Sequence, residues 1–374
     1  MNQSQSPSPI PWSDLHAQLH GELRRRSLLP AHRSLWLAVS GGQDSVALLR
    51  LLLDLQPHWH WTLQVVHCDH GWRPDSGQNA TFVADLCQAW GVPCRVLRAD
   101  QPRRQEAQAR QWRYGVLGQV AAANGGGWIV TGHSASDRAE TLLYNLIRGS
   151  GSDGLQALGW SRPLSPDYPQ IQLVRPLLDF TRDQIAQFCQ RFALPIWLDS
   201  SNQDLGYARN RLRLSVFPEL RRSFNPQVDR TLAHTAEVLS AEASLLEELA
   251  TDLYRRAVVA VTPAEGVAAS QDLPALSDPS CPPVPAHPLP PGQPGWQLHR
   301  PTLQTAPLAL QRRVLRRVLG EEIAAPPSFN RIETLVGLIH APQGSRSPSL
   351  PRGLGAVVAG DWLVLSFEST GEGI

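Results

Sequence analysis

The sequence predicts an α/β protein: a doubly wound, mostly parallel sheet, followed by a helical region and a small α+β C-terminal segment. Three observations predict it. Between about residues 34 and 200, short apolar runs alternate with longer helical patterns, as βαβ units do. The first apolar run, Leu35–Val39, is short enough for a buried parallel strand. That run ends directly in Ser40-Gly41-Gly42-Gln43-Asp44-Ser45, and a sheet of this kind places its ligand at the carboxyl ends of its strands.

The elements follow in order. After the glycine pair, Val46 to Leu53 is long enough for a helix. Leu63–Cys68, Cys94–Leu97 and Trp128–Thr131 read as further strands, with helices expected over Asn79–Trp90 and Gln105–Asn124. From Asn225-Pro226 the pattern changes. Asn as N-cap and Pro at the first helical position start one long helix or two, carried by Val228, Leu232, Val238 and Leu239 through Leu253. Proline density between about 269 and 295 excludes regular structure there and suggests a linker or surface loop. Leu308–Leu319 and Phe329–Ile339 then read as helices, and Ala356–Val358 and Trp362–Phe367 as strands. The expected organisation is an N-terminal extension (1–30), a nucleotide-binding catalytic domain (31–215), a helical domain (216–268), a proline-rich linker (269–300) and a C-terminal recognition segment (301–374).

Composition removes several function classes. No apolar run reaches the roughly 18 residues that span a bilayer, and the Ser/Pro-rich start lacks the basic-then-apolar pattern of a signal peptide. The five cysteines are odd in number and form no C-x-x-C pair, which argues against a disulfide framework, a zinc ribbon and an iron–sulfur site. The expected home is the cytoplasm. Net charge is +1, so any nucleic-acid signal must come from local clusters. All 34 basic side chains are arginine; the chain contains no lysine.

The hexapeptide carries the chemistry. A glycine pair between strand and helix lets backbone N–H groups approach a phosphate, and the helix N-terminus adds a partial positive charge. The serine hydroxyls can donate to phosphate oxygens, and Asp44 can hold magnesium. Without lysine it is not a Walker A loop, and it lacks the Gly-x-Gly-x-x-Gly dinucleotide fingerprint. The plainer alternative is a capped turn before an ordinary helix.

Four further clusters accompany it. His67-Cys68-Asp69-His70-Gly71-Trp72-Arg73 follows the second strand and places polar groups beside the loop. Arg110 and Arg113 share a helix face and suit either the charge of departing pyrophosphate or plain solvent. His133 leads into Asp137 and Glu140, three apart at a helix start. These acids suit a metal or amine, and equally suit capping. Arg148 follows at that helix's far end. Tyr207, Arg209, Arg211 and Arg213 combine an aromatic with arginines, as RNA contacts do.

In this order the motifs resemble those of the tRNA(Ile)-lysidine synthase family, within the pyrophosphate-loop (PP-loop, adenine nucleotide alpha hydrolase-like) ATP pyrophosphatases. The resemblance rests on Ser40–Ser45, the His67–Arg73 stretch, Ala109-Arg110 to Tyr114, Gly132-His133 to Thr141, Arg148 to Gly151, Arg175-Pro176-Leu177-Leu178, and Asp199 to Arg213. It covers about residues 34–226, and only loosely 302–367. Asp69 and Trp72 depart from the family's usual Asn and Leu, and Ser136 stands where an Asp is usual.

The resemblance implies that ATP adenylates C2 of the wobble cytidine of tRNA(Ile) with a CAU anticodon, and that free L-lysine displaces AMP. It implies ATP and Mg2+ as cofactors. Ser40, Gly41, Gly42, Gln43, Asp44, Ser45, His70 and His133 would hold the nucleotide, and Asp44 and Asp137 the metal. Asp44, Arg113, Asp137 and Glu140 would be catalytic, and Arg148, Arg209 and Arg213 would contact tRNA. A homodimer is a candidate assembly. The rivals are another tRNA-modifying enzyme with this loop, such as a thiolase, an amidotransferase-linked synthetase, or a tRNA-binding protein with an inactive loop.

Overall fold

The computed structural model describes residues 10–71, 73–101, 106–199, 203–261, 295–322 and 327–367. It divides into two compact units, Met1–Ser240 and Ala241–Ile374.

The first unit begins with helix α1 (Asp14–Arg25), then strand β1 (Ser34–Ala38), α2 (Gln43–Trp59), β2 (Thr62–Asp69), α3 (Ser76–Ala89) and β3 (Cys94–Arg98). It continues with α4 (Glu106–Ala122), β4 (Trp128–Thr131), α5 (Ala135–Ile147), the single turn α6 (Ser152–Leu155), and strands β5 (Ser161–Ser165) and β6 (Tyr168–Val174). Helix α7 (Arg182–Arg191), the short α8 (Ala208–Arg211), a π-helical turn over Leu212–Val216 and α9 (Phe217–Ser223) complete it.

The six strands lie in the order β3-β2-β1-β4-β6-β5, parallel except for the β5–β6 hairpin. The chain lays β2 and β3 on one side of β1, then crosses to place β4 on the other. The gap between the ends of β1 and β4 is therefore the topological switch point, where such sheets bind ligands. Ala38 and Thr131 are register partners there, so the loops that follow them are neighbours. Leu35, Leu37, Leu48, Leu51, Leu52 and Val65 are wholly buried in the main core beside α2.

Two expectations are revised. Residues 1–30 are not merely an extension: Leu19 and Leu23 of α1, with Leu29, belong to the same core as β1. The β5–β6 hairpin was not expected, because Pro163 and polar residues break its strand pattern.

Helix α10 (Val228–Ala257) is one continuous helix of 30 residues. It starts two residues after Pro226, with the Asn225 side-chain oxygen accepting from the Gln227 N–H at 2.9 Å. Strands β7 (Val258–Val261) and β8 (Gly295–His299), helices α11 (Arg300–Gln304), α12 (Leu308–Glu322) and α13 (Phe329–His340), and strands β9 (Leu354–Ala359) and β10 (Trp362–Phe367) follow. The second unit's sheet is antiparallel, in the order β7-β8-β10-β9, and its core is formed by Leu298, Leu315, Leu319, Leu335, Ile339, Leu363 and Leu365. The linker expected over 269–300 gives way to β8 at its end; residues 269–294 lie outside the described residues. No helix among the described residues is long and apolar enough to cross a membrane.

Candidate active site

The hexapeptide lies between β1 and α2, with Gly42 as the helix N-cap. Gly41 has φ +88°, and a Cβ there would come within 2.7 Å of Asn79 Oδ1 and 3.3 Å of Trp197, so a side chain would close the cradle. The Ser45 hydroxyl donates to the Gly42 carbonyl at 2.9 Å and accepts from the Ser40 N–H at 3.2 Å. The buried Asn79 Oδ1 has no hydrogen-bond partner among the described residues. Gly132, at the end of β4, lies against the loop: a Cβ there would be 2.8 Å from the Asp44 carbonyl oxygen.

Three carboxylates from two helices converge on one guanidinium. Arg182 donates through Nη2 to Asp137 at 2.9 Å and through Nη1 to Glu140 at 2.8 Å, while its Nε lies 3.6 Å from Asp44. Its backbone is used as well. The Arg182 N–H donates to Ser136 Oγ at 3.2 Å, and the Arg182 carbonyl accepts from Gln43 Nε2 at 3.1 Å. One residue at the start of α7 thus ties together the loops that end β1, β4 and β6.

The sequence left a choice between capping and function for Asp137. The two oxygens divide the roles. Oδ2 accepts from Ser134 N–H and Oγ–H at 2.8 Å, closing a capping box on α5, and Oδ1 takes Arg182. Ser136 is buried; its hydroxyl accepts from the Arg182 N–H and lies beside the Asp229 carboxylate, which it helps hold below the usual range. A neighbouring acid already fills the surroundings of the carboxylate that this chain lacks.

The acids differ in proton affinity. Burial, then the charge of Asp137, pushes Asp44 up to about 6 against the pull of Arg182 and Arg213. Burial also raises Glu140, with Arg182 opposing. For Asp137, burial is outweighed by Arg182, His133 and the Ser134 hydrogen bonds, so its carboxyl stays below the usual range.

On the other side of His133 the charge reverses. Burial, with the Arg175, Arg113 and Arg110 charges, pushes His133 down to about 3, although Asp137 opposes the shift. Burial and Arg113 push His70 down to about 4. Both imidazoles are neutral at physiological pH and act by hydrogen bonding; Thr131 Oγ1 lies 2.9 Å from His133 Nδ1. His67 is structural, its Nδ1–H donating to the Val39 carbonyl at 2.8 Å.

The remaining expected residues separate. Arg113 faces His70, His133 and Tyr114. Arg213 lies near Asp44, Asp137 and Glu140 and therefore faces the acidic side. Arg209 is on α8, and Arg148 is exposed at the end of α5, 3.1 Å from the Tyr144 hydroxyl. Sequence reasoning missed Arg182, whose only local signal is the helix start marked by Thr181 and Gln184. Arg175 stands in the sequence only as part of the Arg175-Pro176-Leu177-Leu178 motif.

Cys189 Sγ lies 3.8 Å from the Gln43 carbonyl, but burial pushes its thiol up to about 12, as it does for Cys68. Neither is a thiolate at neutral pH, so neither is poised as a nucleophile.

Residues 15–220 match the family model described as a PP-loop domain, and residues 298–363 match the TilS substrate binding domain. A tRNA(Ile)-lysidine synthase of Nostoc sp. is 48% identical over 354 residues, covering 95% of this chain and 97% of the relative. The chain belongs to the tRNA(Ile)-lysidine synthase family. A member from Gloeobacter violaceus is 42% identical over 348 residues, covering 92% and 95%. Among solved structures, a U34-tRNA thiolase, NcsA, from Methanococcus maripaludis matches with a TM-score of 0.50 over 64% of this chain and 88% of its own, at 14% identity. That likeness supports the shared fold. The family assignment makes residues 15–220 an ATP-using PP-loop domain and residues 298–363 a substrate-binding region.

Proposed function

We propose that this chain ligates free lysine to C2 of the wobble cytidine of tRNA(Ile) with a CAU anticodon, through an adenylated cytidine, releasing pyrophosphate and AMP. The observation that carries the reading is the convergence of Asp44, Asp137 and Glu140 beside the Ser40–Ser45 loop, in a chain that belongs to this family along nearly its whole length.

In the first step the cytidine C2 oxygen bonds to the α-phosphorus of ATP and pyrophosphate leaves. The loop N–H groups and the α2 N-terminus take up charge on the departing phosphates, with Arg113 across the site. Asp44 and Asp137 fit a magnesium ion, which needs only one or two carboxylates beside the nucleotide's own oxygens and would supply further charge neutralisation. In the second step an amine of lysine bonds to C2 and AMP departs. Asp137, held ionised, suits the cationic amine. Glu140, raised, is the better acceptor for the proton the amine must lose. Since every basic residue is arginine, no side chain of the protein presents a competing primary amine.

We assign tRNA contacts to Arg148, Arg209 and Arg213, tRNA choice to the C-terminal unit, and a cytoplasmic location. The four described cysteines, all free thiols, support a reducing compartment.

The test is incubation with ATP, magnesium, radiolabelled lysine and unmodified tRNA. Label enters the tRNA with AMP release; a requirement for a sulfur donor, or no label at all, refutes the reading. Asp44→Ala should abolish AMP release and leave tRNA binding largely intact.

A further inference from the structure

Beyond the loop and the carboxylates, the same edge of the sheet gathers positive charge of which the steps above use only Arg113. Tyr114, buried on α4, is surrounded by four arginines. The Cζ atoms of Arg110, Arg162 and Arg113 lie 5.0, 5.3 and 5.8 Å from its ring centroid. Arg175 lies close enough to Tyr114 to feel its charge, and the Tyr114 hydroxyl is buried with no hydrogen-bond partner among the described residues. Arg175 is 1% exposed; its Nη1 donates to the Gly159 carbonyl at 2.7 Å, and its Nε is buried with no partner among the described residues. Arg162 Nη1 donates to the Pro163 and Leu164 carbonyls at 2.7 and 2.8 Å.

Among the described residues, none of the four arginines forms an ion pair with a carboxylate. Stacking on one phenol ring does not neutralise four guanidinia, and a buried charge needs a counter-charge. Burial, Arg113, Arg209 and Arg162 all hold Arg110 below its ordinary value, opposed only by Tyr114. That is the signature of like charges crowded without an anion.

We propose that Arg110, Arg162 and Arg175, with Arg113, form a phosphate-binding site for the RNA backbone next to the nucleotide being modified. The position of Arg162 favours RNA over ATP. Arg162 lies on β5, the third strand from β1 in the order β1-β4-β6-β5, which puts it about 14 Å from the nucleotide loop at the usual strand spacing. Yet Ser161 pairs with Val174 at the carboxyl end of β6, so Arg162 stands on the same rim as the active site. An RNA strand that presents a base to the loop must carry its phosphates along this rim, where arginine forks match phosphate oxygens. The inference needs only that RNA is the substrate, not that lysine is the amine.

The test uses the full chain with Arg110→Gln and Arg162→Gln, which are only partly buried. Affinity for unmodified tRNA is measured across a range of potassium chloride, and ATP affinity alongside it. Each substitution should weaken tRNA binding about tenfold and make the salt slope shallower by about one, with ATP affinity unchanged. Arg110→Lys and Arg162→Lys, which keep the charge, should restore the slope. Unchanged tRNA affinity and slope overturn the proposal. So does a loss of ATP affinity with tRNA binding intact, which makes the cluster a nucleotide-phosphate site. A slope that stays shallow in the lysine variants also overturns it, by assigning the loss to misfolding. If wild-type protein binds tRNA with this salt dependence but never incorporates lysine, the proposed reaction fails and the phosphate site stands.

Discussion

The two halves of this site manage charge in opposite ways. The acidic half is closed on itself: Asp44, Asp137 and Glu140 all face the Arg182 guanidinium, and its backbone is tied to Gln43 and Ser136. The basic half has four arginines around Tyr114 and, among the described residues, no carboxylate partner. A ligand cation must therefore enter a site that already holds an internal cation, whereas a ligand anion meets a site still short of counter-charge. The difference teaches that the acidic half is built to exchange partners and the basic half to acquire one.

The largest effect expected from breaking this contrast is at Arg182. Arg182→Gln leaves three acids facing one another and should cost about 3 kcal/mol of stability, measured by urea unfolding. Losing the guanidinium favours the protonated acids, so the acid limb of AMP release should move to higher pH. A limb that stays in place would show that Arg182 does not balance these carboxylates.

Ser136→Asp tests whether the acidic half has room for the family's usual carboxylate. Beside Asp229 and Asp137 it should lose about 2 kcal/mol, and adding Asp229→Asn should recover part of that. Equal stability of the single and double variants would separate Ser136 from Asp229.

A smaller, pH-dependent effect belongs to Asp44. Its folded value of about 6 lies above its ordinary 3.8. The folded protein therefore binds that proton more tightly than the unfolded chain does between the two values. Its contribution to stability falls as pH rises from about 4 to about 6, then levels. The stability of Asp44→Asn relative to wild type should rise through that window, measured by thermal unfolding without nucleotide. A flat difference would remove the burial argument. The smallest effect is at exposed Arg148: Arg148→Gln should leave stability within about 0.5 kcal/mol and lower tRNA affinity modestly.

The switch-point loop, four of the parallel strands and the helices between them were legible because buried strands and amphipathic helices write their periods into consecutive residues. Asp44, Asp137 and Glu140 were legible as residues but not as a group. The partner that unites them, Arg182, is a long-range neighbour whose role no local spacing records; it lies 42 positions from Glu140 and 45 from Asp137. The basic half was hidden for a similar reason. Arg110 was visible on a helix face, but Arg162 sits on a hairpin that Pro163 disguises, and Arg175 reads as part of an apolar turn. Ser136 could be seen as a departure, but its explanation, Asp229, comes from a helix that begins beyond the sheet.

Arg182 also bears on how the chain is made. Gln43 and Arg182 are 139 positions apart, and synthesis runs from the N-terminus. Asp44, Asp137 and Glu140 all leave the ribosome before the Arg182 guanidinium that all three face. During that interval the nascent sheet carries a mutually repelling triad at its rim, so the site is among the last parts to settle. Nucleotide binding, which also needs a settled rim, then becomes a natural reporter of when folding is finished.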